Sequence, residues 1–328
     1  MTDQTLNAIR GNRFAIFGRA GMDFTANPIG ARSEDALTFT ADLGGSSANI
    51  AAGLVKLGGQ AALVTNVSDD AIGRFAVNRL QHYGVDTRYV GKVTGECRTS
   101  LAIYESRLED FQNVIYRNNA ADFQVTPEEM DRVDYGAFSA AITAGTVFAG
   151  EPSRTATFRA IDNAKAAGLP VIFDIDYRPY SWPSPQVASE VLTRAGEASD
   201  LIVGNDEEFG FMAGDYDKGL DKARELAAQG KIVIYKMGHL GAITLHNGQE
   251  VKTGIYKVDA IKPVGAGDSF MAGLLASIAQ GHDLPEAVLR GSACAAIVVG
   301  NPGCAPAMPT TEQLDAFLAE HPGPTHPE

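Results

Sequence analysis

Short apolar runs alternate with helix-like stretches along most of this chain. That alternation restricts the fold more than any other feature. Strands separated by helices read as a parallel sheet with helices packed on both faces. Arg13–Gly18 (RFAIFG), Ala61–Val67, Val171–Phe173, Leu201–Val203 and Lys231–Lys236 read as strands, and Val147 is placed in another. Ser46–Leu57 reads as a helix ended by Gly58 and Gly59. Asp69 or Asp70 can cap the next helix, which runs to Tyr83 and stops at Gly84. Thr126-Pro127-Glu128-Glu129 combines a capping box with proline at the first helical position. Arg154–Ala167, Asp268–Gln280 and Leu284–Val299 read as further helices.

Two segments break the rhythm. Asp23–Leu43 and Thr99–Arg117 alternate apolar and polar residues, as in LAIYES and NVIYRN, and read as antiparallel hairpin strands. They are expected to form one small antiparallel β sheet inserted into the main domain, at about 23–43 and 99–117, acting as a lid. No Pro/Ser-rich linker, low-complexity tract or internal repeat interrupts residues 1–328, so the chain reads as a single α/β domain. The tail HPGPTHPE is expected to fray.

Composition narrows the class. Hydrophobic residues make up 45% and charged residues 20%, as in an ordinary soluble enzyme. The sequence has no apolar run long enough to span a membrane and no apolar segment of a signal peptide at its start. Cys97, Cys294 and Cys304 form no paired framework, which suits a cytoplasmic protein. A net charge of −13 argues against nucleic acid or anionic lipid as the partner. A site for anionic ligands would therefore have to gather its own positive charge.

Two glycine-rich junctions carry the chemistry. Gly265, Ala266 and Gly267, in KPVGAGDSF, bring small residues and unpaired N–H groups to the start of a helix, where negative charge is favoured. Asp268 follows at once. A carboxylate beside an anion site repels phosphate unless it serves as a base for an attacking hydroxyl; its plainer reading is a helix N-cap. Gly44 and Gly45 permit close backbone approach, and Asn49 offers a donor and an acceptor to a hydroxyl. Asp23, a few residues after the first strand, can accept from sugar hydroxyls. Gly18-Arg19-Ala20-Gly21 is not a dinucleotide fingerprint.

Together the strings GGSSANIAAG and KPVGAGDSFMAGLL resemble the paired signatures of the PfkB, or ribokinase-like, carbohydrate kinases. The resemblance covers Phe14 to Thr310 and implies a three-layer α/β/α ribokinase-like fold, with ATP and Mg2+ as cofactors. It implies Asp268 as the catalytic base and Gly265, Ala266 and Gly267 as the anion hole. Asn205-Asp206-Glu207-Glu208 is similar to the family's NxxE motif, which implies that Asn205 and Glu208 organise magnesium-bound water. Lys236-Met237-Gly238-His239-Leu240-Gly241 is similar to its KxGxxG turn, which puts Lys236, Gly238 and Gly241 at the nucleotide. Gly303 is implied near the adenine. Many members have aspartate six residues before the catalytic aspartate, where it helps hold a potassium ion. Lys262 stands there in this chain, and lysine repels a cation. Weak potassium dependence is therefore expected, with the ammonium paired to a carboxylate or to backbone carbonyls; the plainer alternative is that Lys262 points to solvent and carbonyls alone hold the ion.

GRAGMDF, IGARSEDALTF, YRNNAADF, FDIDYRPYSW and KPVGAGD resemble the 5-dehydro-2-deoxygluconokinases of inositol catabolism, which phosphorylate the 6-hydroxyl of a keto-deoxy sugar acid. Arg19, Arg117 and Arg178 sit in three loops that such a fold would direct to the sugar. Guanidinium pairs bidentately with carboxylate, so they point to a sugar-acid substrate. Alternatively, Arg178 pairs internally with Asp174 or Asp176. 2-Keto-3-deoxygluconate kinase, fructokinase and a non-catalytic sugar sensor stay open as readings. Exposed lid strands suggest a homodimer through the lid.

Overall fold

The computed structural model describes residues 2–321, 323 and 324, so the fraying expected of the tail falls largely outside the described residues. The chain begins with α1 (Thr2–Ile9), β1 (Arg13–Phe17), β2 (Gly21–Asn27), β3 (Thr38–Gly44), α2 (Ser46–Lys56) and β4 (Gln60–Ser68). Next come α3 (Ala71–His82), β5 (Val90–Val93), β6 (Ser100–Tyr104), β7 (Asn113–Tyr116), α4 (Pro127–Asp131), β8 (Ala140–Ala144) and α5 (Ser153–Ala166). They are followed by β9 (Val171–Asp174), α6 (Pro185–Ala198), β10 (Leu201–Asn205), α7 (Asp206–Ala213), α8 (Gly219–Ala228) and β11 (Ile232–Lys236). The last elements are β12 (Ala242–His246), β13 (Gln249–Thr253), α9 (Ala266–Ala279), α10 (Leu284–Val299) and α11 (Thr311–Glu320).

The main sheet has nine strands in the order β13-β12-β11-β10-β9-β8-β1-β4-β5. Strands β11 to β5 in this order are parallel, and β12 and β13 add an antiparallel edge. Every residue of β8 and β9 is buried, as expected of parallel strands covered on both faces. One apolar layer joins the sheet to α2, α9 and α10 through Ile50, Leu54, Leu274 and Val288. The other joins it to α5, α6 and α8 through Ile161, Leu192 and Leu226. The three-layer α/β/α architecture is as expected. Among the described residues no helix is long and apolar enough to cross a membrane.

Local signals act as read. Asp70 caps α3 by accepting from the N–H groups of Ile72 and Gly73, and Gly84 leaves the helix at φ 79°. The capping box at Thr126 and Glu129 opens α4. Val147 is a correction. It lies in a 3-10 turn, Gly145–Phe148, that follows β8. The apolar run continues through the turn because Val147 and Phe148 remain in the core.

The lid is a separate four-stranded sheet, β3-β2-β6-β7. Its two hairpins are antiparallel as expected, but β2 pairs with β6 in parallel, so the sheet is mixed rather than antiparallel. The reason lies in the parent sheet. β2 follows β1 and β6 follows β5, and both leave the same edge of a parallel sheet in the same direction.

Candidate active site

Parallel strands deliver their following loops to one edge of the sheet, and ligands bind in the crevice formed there. Here that edge carries Arg19 after β1, Asp174, Asp176 and Arg178 at the end of β9 and just beyond it, Asn205 and Glu208 after β10, and Lys236 and Gly238 after β11. All line a cavity of about 1210 Å³. The lid closes it from above with Asp23, Ala102, Tyr104, Asn113 and Ile115. Strand register explains the choice. Asp23, Ala102 and Ile115 are cross-strand neighbours, as are Thr25, Tyr104 and Asn113, so alternate residues of each lid strand face inward.

Two helices aim their N-termini at the same place. Gly45 is the N-cap of α2 at φ 98°, and Gly265 is the N-cap of α9 at φ 87°; neither position uses a side chain to satisfy the free N–H groups. At α2 the Ala48 N–H is taken by the Arg19 carbonyl at 3.2 Å, whereas the first N–H groups of α9 are left for an anion. At Gly265 a side chain would meet Val298 Cγ1 at 3.0 Å and Cys304 Sγ at 3.1 Å. Gly45, Asn49, Gly265, Ala266, Gly267 and Asp268 all line the cavity. Asn49 Nδ2 donates to Asp268 Oδ2 at 2.8 Å, tying α2 to α9 across 219 residues. The Asn49 Oδ1 atom is buried with no partner. Gly44 does not line the cavity; a side chain there would strike the Asp23 carboxylate.

The charges are crowded, and Arg19, Asp23, Asp174, Asp176 and Glu208 among them are buried. Burial, with Asp176 nearby, pushes the Asp268 carboxyl up to about 6, although the Asn49 hydrogen bond opposes the shift. Burial pushes Asp23 up to about 7 against the pull of Arg19. Burial also raises Asp174 well above the usual carboxylate range despite Lys236. Asp176 goes the other way. Burial works against it, but Arg178 and the Ser46 hydroxyl hold it low. Its carboxylate takes Arg178 Nη2 at 2.7 Å and Ser46 Oγ at 2.7 Å. Asp176 also sits at φ 34°, a conformation that a non-glycine residue keeps only when its surroundings impose it.

The three arginines divide. Arg19 lines the cavity, donates to Ser100 Oγ at 2.9 Å, and leaves a buried Nε without a partner. Arg178 lines it too, paired with Asp176 as the internal alternative had it. Arg117 is a correction. It does not line the cavity. Its guanidinium pairs with buried Asp122, donates to the Thr146 carbonyl at 2.9 Å and stacks 4.1 Å above the Phe123 ring. Gly303 is corrected likewise: it packs on Pro306 outside the cavity lining. The far end of the cavity is instead formed by Tyr256 to Ala260, Ala295, Val299 and His321. Those residues belong to no recognisable string and reach the site only through the packing of α10 and α11. Ser46 was also missed, although it stands inside the GGSSAN junction.

Glu208 serves two purposes. With Asn205 it forms a capping box for α7, and its carboxylate accepts from the N–H groups of Asn205 at 2.8 Å and Tyr177 at 3.3 Å. Lys236 lies close to the anion hole: its Nζ would be 3.6 Å from a side chain at Gly267. The arrangement therefore offers a basic carboxylate, a row of free amides, a lysine and two arginines around one cavity. Phosphoryl transfer to a hydroxyl uses that set.

Comparison with known proteins gives concordant matches. The model of the pfkB family of carbohydrate kinases matches residues 12–311. A 5-dehydro-2-deoxygluconokinase of Photobacterium profundum is 36% identical over 322 residues, covering 96% of this chain and 96% of that protein. A fructokinase of Vibrio cholerae O395, solved with fructose, ADP and potassium, superposes with a TM-score of 0.82 at 24% identity, covering 94% of this chain and 98% of that one. A fructokinase of Xylella fastidiosa with bound ATP gives a TM-score of 0.82 at 21% identity, covering 94% and 99%.

Proposed function

The chain belongs to the pfkB family of carbohydrate kinases, and from that premise we propose that it transfers the γ-phosphoryl group of ATP to the 6-hydroxyl of 5-dehydro-2-deoxy-D-gluconate. The observation that carries the substrate class is the pair of arginines, Arg19 and Arg178, on the wall of the cavity that also holds the anion hole and the candidate base Asp268. A neutral hexose needs no such charge. The relatives named for this sugar acid add support.

Asp268 takes the proton of the attacking hydroxyl as the O–P bond forms, and ADP leaves with the electrons of the broken P–O bond. Asn49 orients Asp268 and keeps an oxygen free for a sugar hydroxyl. The amides of Gly265, Ala266 and Gly267, with Lys236, stabilise charge on the phosphoryl group in flight. Glu208 and Asn205 would hold Mg2+ through water, and the ion would supply charge neutralisation at the phosphates. The residues fit such a loosely held ion. Both Glu208 oxygens receive backbone N–H groups, which fix the carboxylate on the cavity wall where water on an ion could reach it.

A coupled ADP-release assay with sugar acids and hexoses tests the proposal. Turnover of the keto-deoxy acid well above fructose and 2-keto-3-deoxygluconate is expected. Preference for fructose would sink the acid reading, and binding without turnover would sink the kinase mechanism. The same assay reads the base. kcat/KM should fall tenfold per pH unit below about 6, where free Asp268 is protonated. Asp176→Asn should move that limb to lower pH, because the Asp176 charge raises Asp268. An unmoved limb would assign it to another group.

The outer face of the lid supports a homodimer. Ala41, Phe24, Ile103 and Val114 form one apolar cross-strand row. Val114 is 45% exposed and Tyr116 57%. A large exposed apolar patch marks an interaction site, and in a two-fold dimer the same patch serves both copies. Sedimentation should give a dimer that Val114→Lys converts to a monomer. A monomeric wild type at micromolar concentration would refute this.

A further inference from the structure

Lys262 is among the largest side chains with no exposure at all, and it lies six residues before Asp268. A buried ammonium is costly unless its hydrogens are taken up. Here Nζ donates to the Val264 carbonyl at 2.8 Å and to the Val298 carbonyl at 2.9 Å. Val298 is in the last turn of α10, whose C-terminal end favours positive charge, and its carbonyl also accepts from the Asn301 N–H at 3.2 Å. Val264 is in the loop that enters α9. The backbone is joined at the same point: Ile261 N–H donates to the Val299 carbonyl at 2.8 Å. One ammonium thus clamps the loop before the anion hole onto the end of α10.

The clamp has a directional consequence. A trans peptide is planar, with its C=O and N–H on opposite sides. Holding the Val264 carbonyl on Lys262 therefore turns the Gly265 N–H away from Lys262. Lys262 does not line the cavity, whereas Val264 and Gly265 do. Burial lowers the Lys262 ammonium from its usual value, opposed by Cys304 and by the carboxylates of Asp268 and Asp23.

We propose that Lys262 is a positioning residue that acts as a built-in monovalent cation, orienting the Val264–Gly265 peptide and so the anion hole. A potassium ion, which the family resemblance implies beside this hole, does not fit at position 262: an ammonium already occupies the two carbonyls there, and the position carries no carboxylate. The inference extends the kinase reading above and rests on it for its activity arm.

The experiment has two arms. In the first, wild-type kcat/KM is measured in potassium and in an inert cation at constant ionic strength. A change below two-fold is expected, and activation of tenfold or more overturns the proposal. In the second, Lys262→Ala and Lys262→Met are compared. Both should lose about ten- to a hundred-fold in kcat, the scale of a misaligned anion-hole donor, with sugar KM changed less than three-fold. Ammonium, methylammonium or potassium should restore part of the Ala variant's kcat and raise its Tm. They should do neither for the wild type, or for Met, whose side chain fills the space. A Met variant with wild-type kcat, or a folded Ala variant indifferent to every cation in both rate and Tm, overturns the proposal. If the wild type turned over no sugar, the substrate proposed above would fall. The cation-dependent Tm of the Ala variant would still decide Lys262.

Discussion

Asp268→Asn is expected to lose about 10²–10⁴-fold in kcat while it keeps the fold and both substrate affinities. The two side chains are nearly isosteric, and the Asn variant can still accept from Asn49 through its amide oxygen. It cannot take a proton. Asp268 is half-buried and tied to α2 by a 2.8 Å hydrogen bond, so the site should keep its shape. Its carboxyl, raised to about 6, is still mostly ionised at neutral pH yet more basic than an ordinary aspartate. Asparagine removes that property alone. Initial rates at saturating ATP and sugar, with circular dichroism as the control for folding, provide the check. A wild-type kcat in the Asn variant would take the base role from Asp268.

The arginine series should show the next largest effect. Arg19→Ala and Arg178→Ala should each weaken a sugar acid more than a matched neutral sugar. The loss of one charge-assisted contact costs about 2–3 kcal/mol, or roughly 30- to 150-fold in kcat/KM. Arg178 carries a second consequence. Its removal leaves the Asp176 carboxylate without its 2.7 Å partner, so a substrate carboxylate would then meet a like charge. Arg117→Ala is the contrasting control. It strips the buried Asp122 of its cation, which should cost about 3–5 kcal/mol of stability and lower Tm without changing the preference for acids. Equal losses for acid and neutral sugars at Arg19 and Arg178 would mean that both serve the phosphates or the fold.

The fate of the three arginines shows where sequence reasoning stops. Each is a cation in a loop beside a strand, and composition alone treats them alike. What separates Arg117 is Asp122, five residues on, in a short 3-10 turn that folds back under it. Whether a guanidinium faces a cavity or an internal carboxylate depends on which partner is desolvated with it, and that is set by packing. Gly303 failed in the same way. Its positive φ of 77° marks a turn, but a turn does not say which side faces the nucleotide.

Much was settled by local chemistry. Alternating apolar runs specify covered parallel strands because each must bury both faces. Asp70, Thr126 and the two glycine junctions specify helix starts because only those residues satisfy or expose the first N–H groups. The residues that do the chemistry are contiguous there: Gly265 to Asp268 form one turn, and so do Gly45 to Asn49. Lys262 and its misfit with a metal cation were legible for the same reason, as a charge at a fixed spacing from Asp268. The Val298 carbonyl that receives it was not, because it is 36 residues away. Tertiary structure alone decided the parallel pairing of β2 with β6, the far wall of the cavity and the 2.8 Å bond between Asn49 and Asp268. Each of these joins residues remote in sequence, and burial assigns such partners only when the whole sheet is assembled.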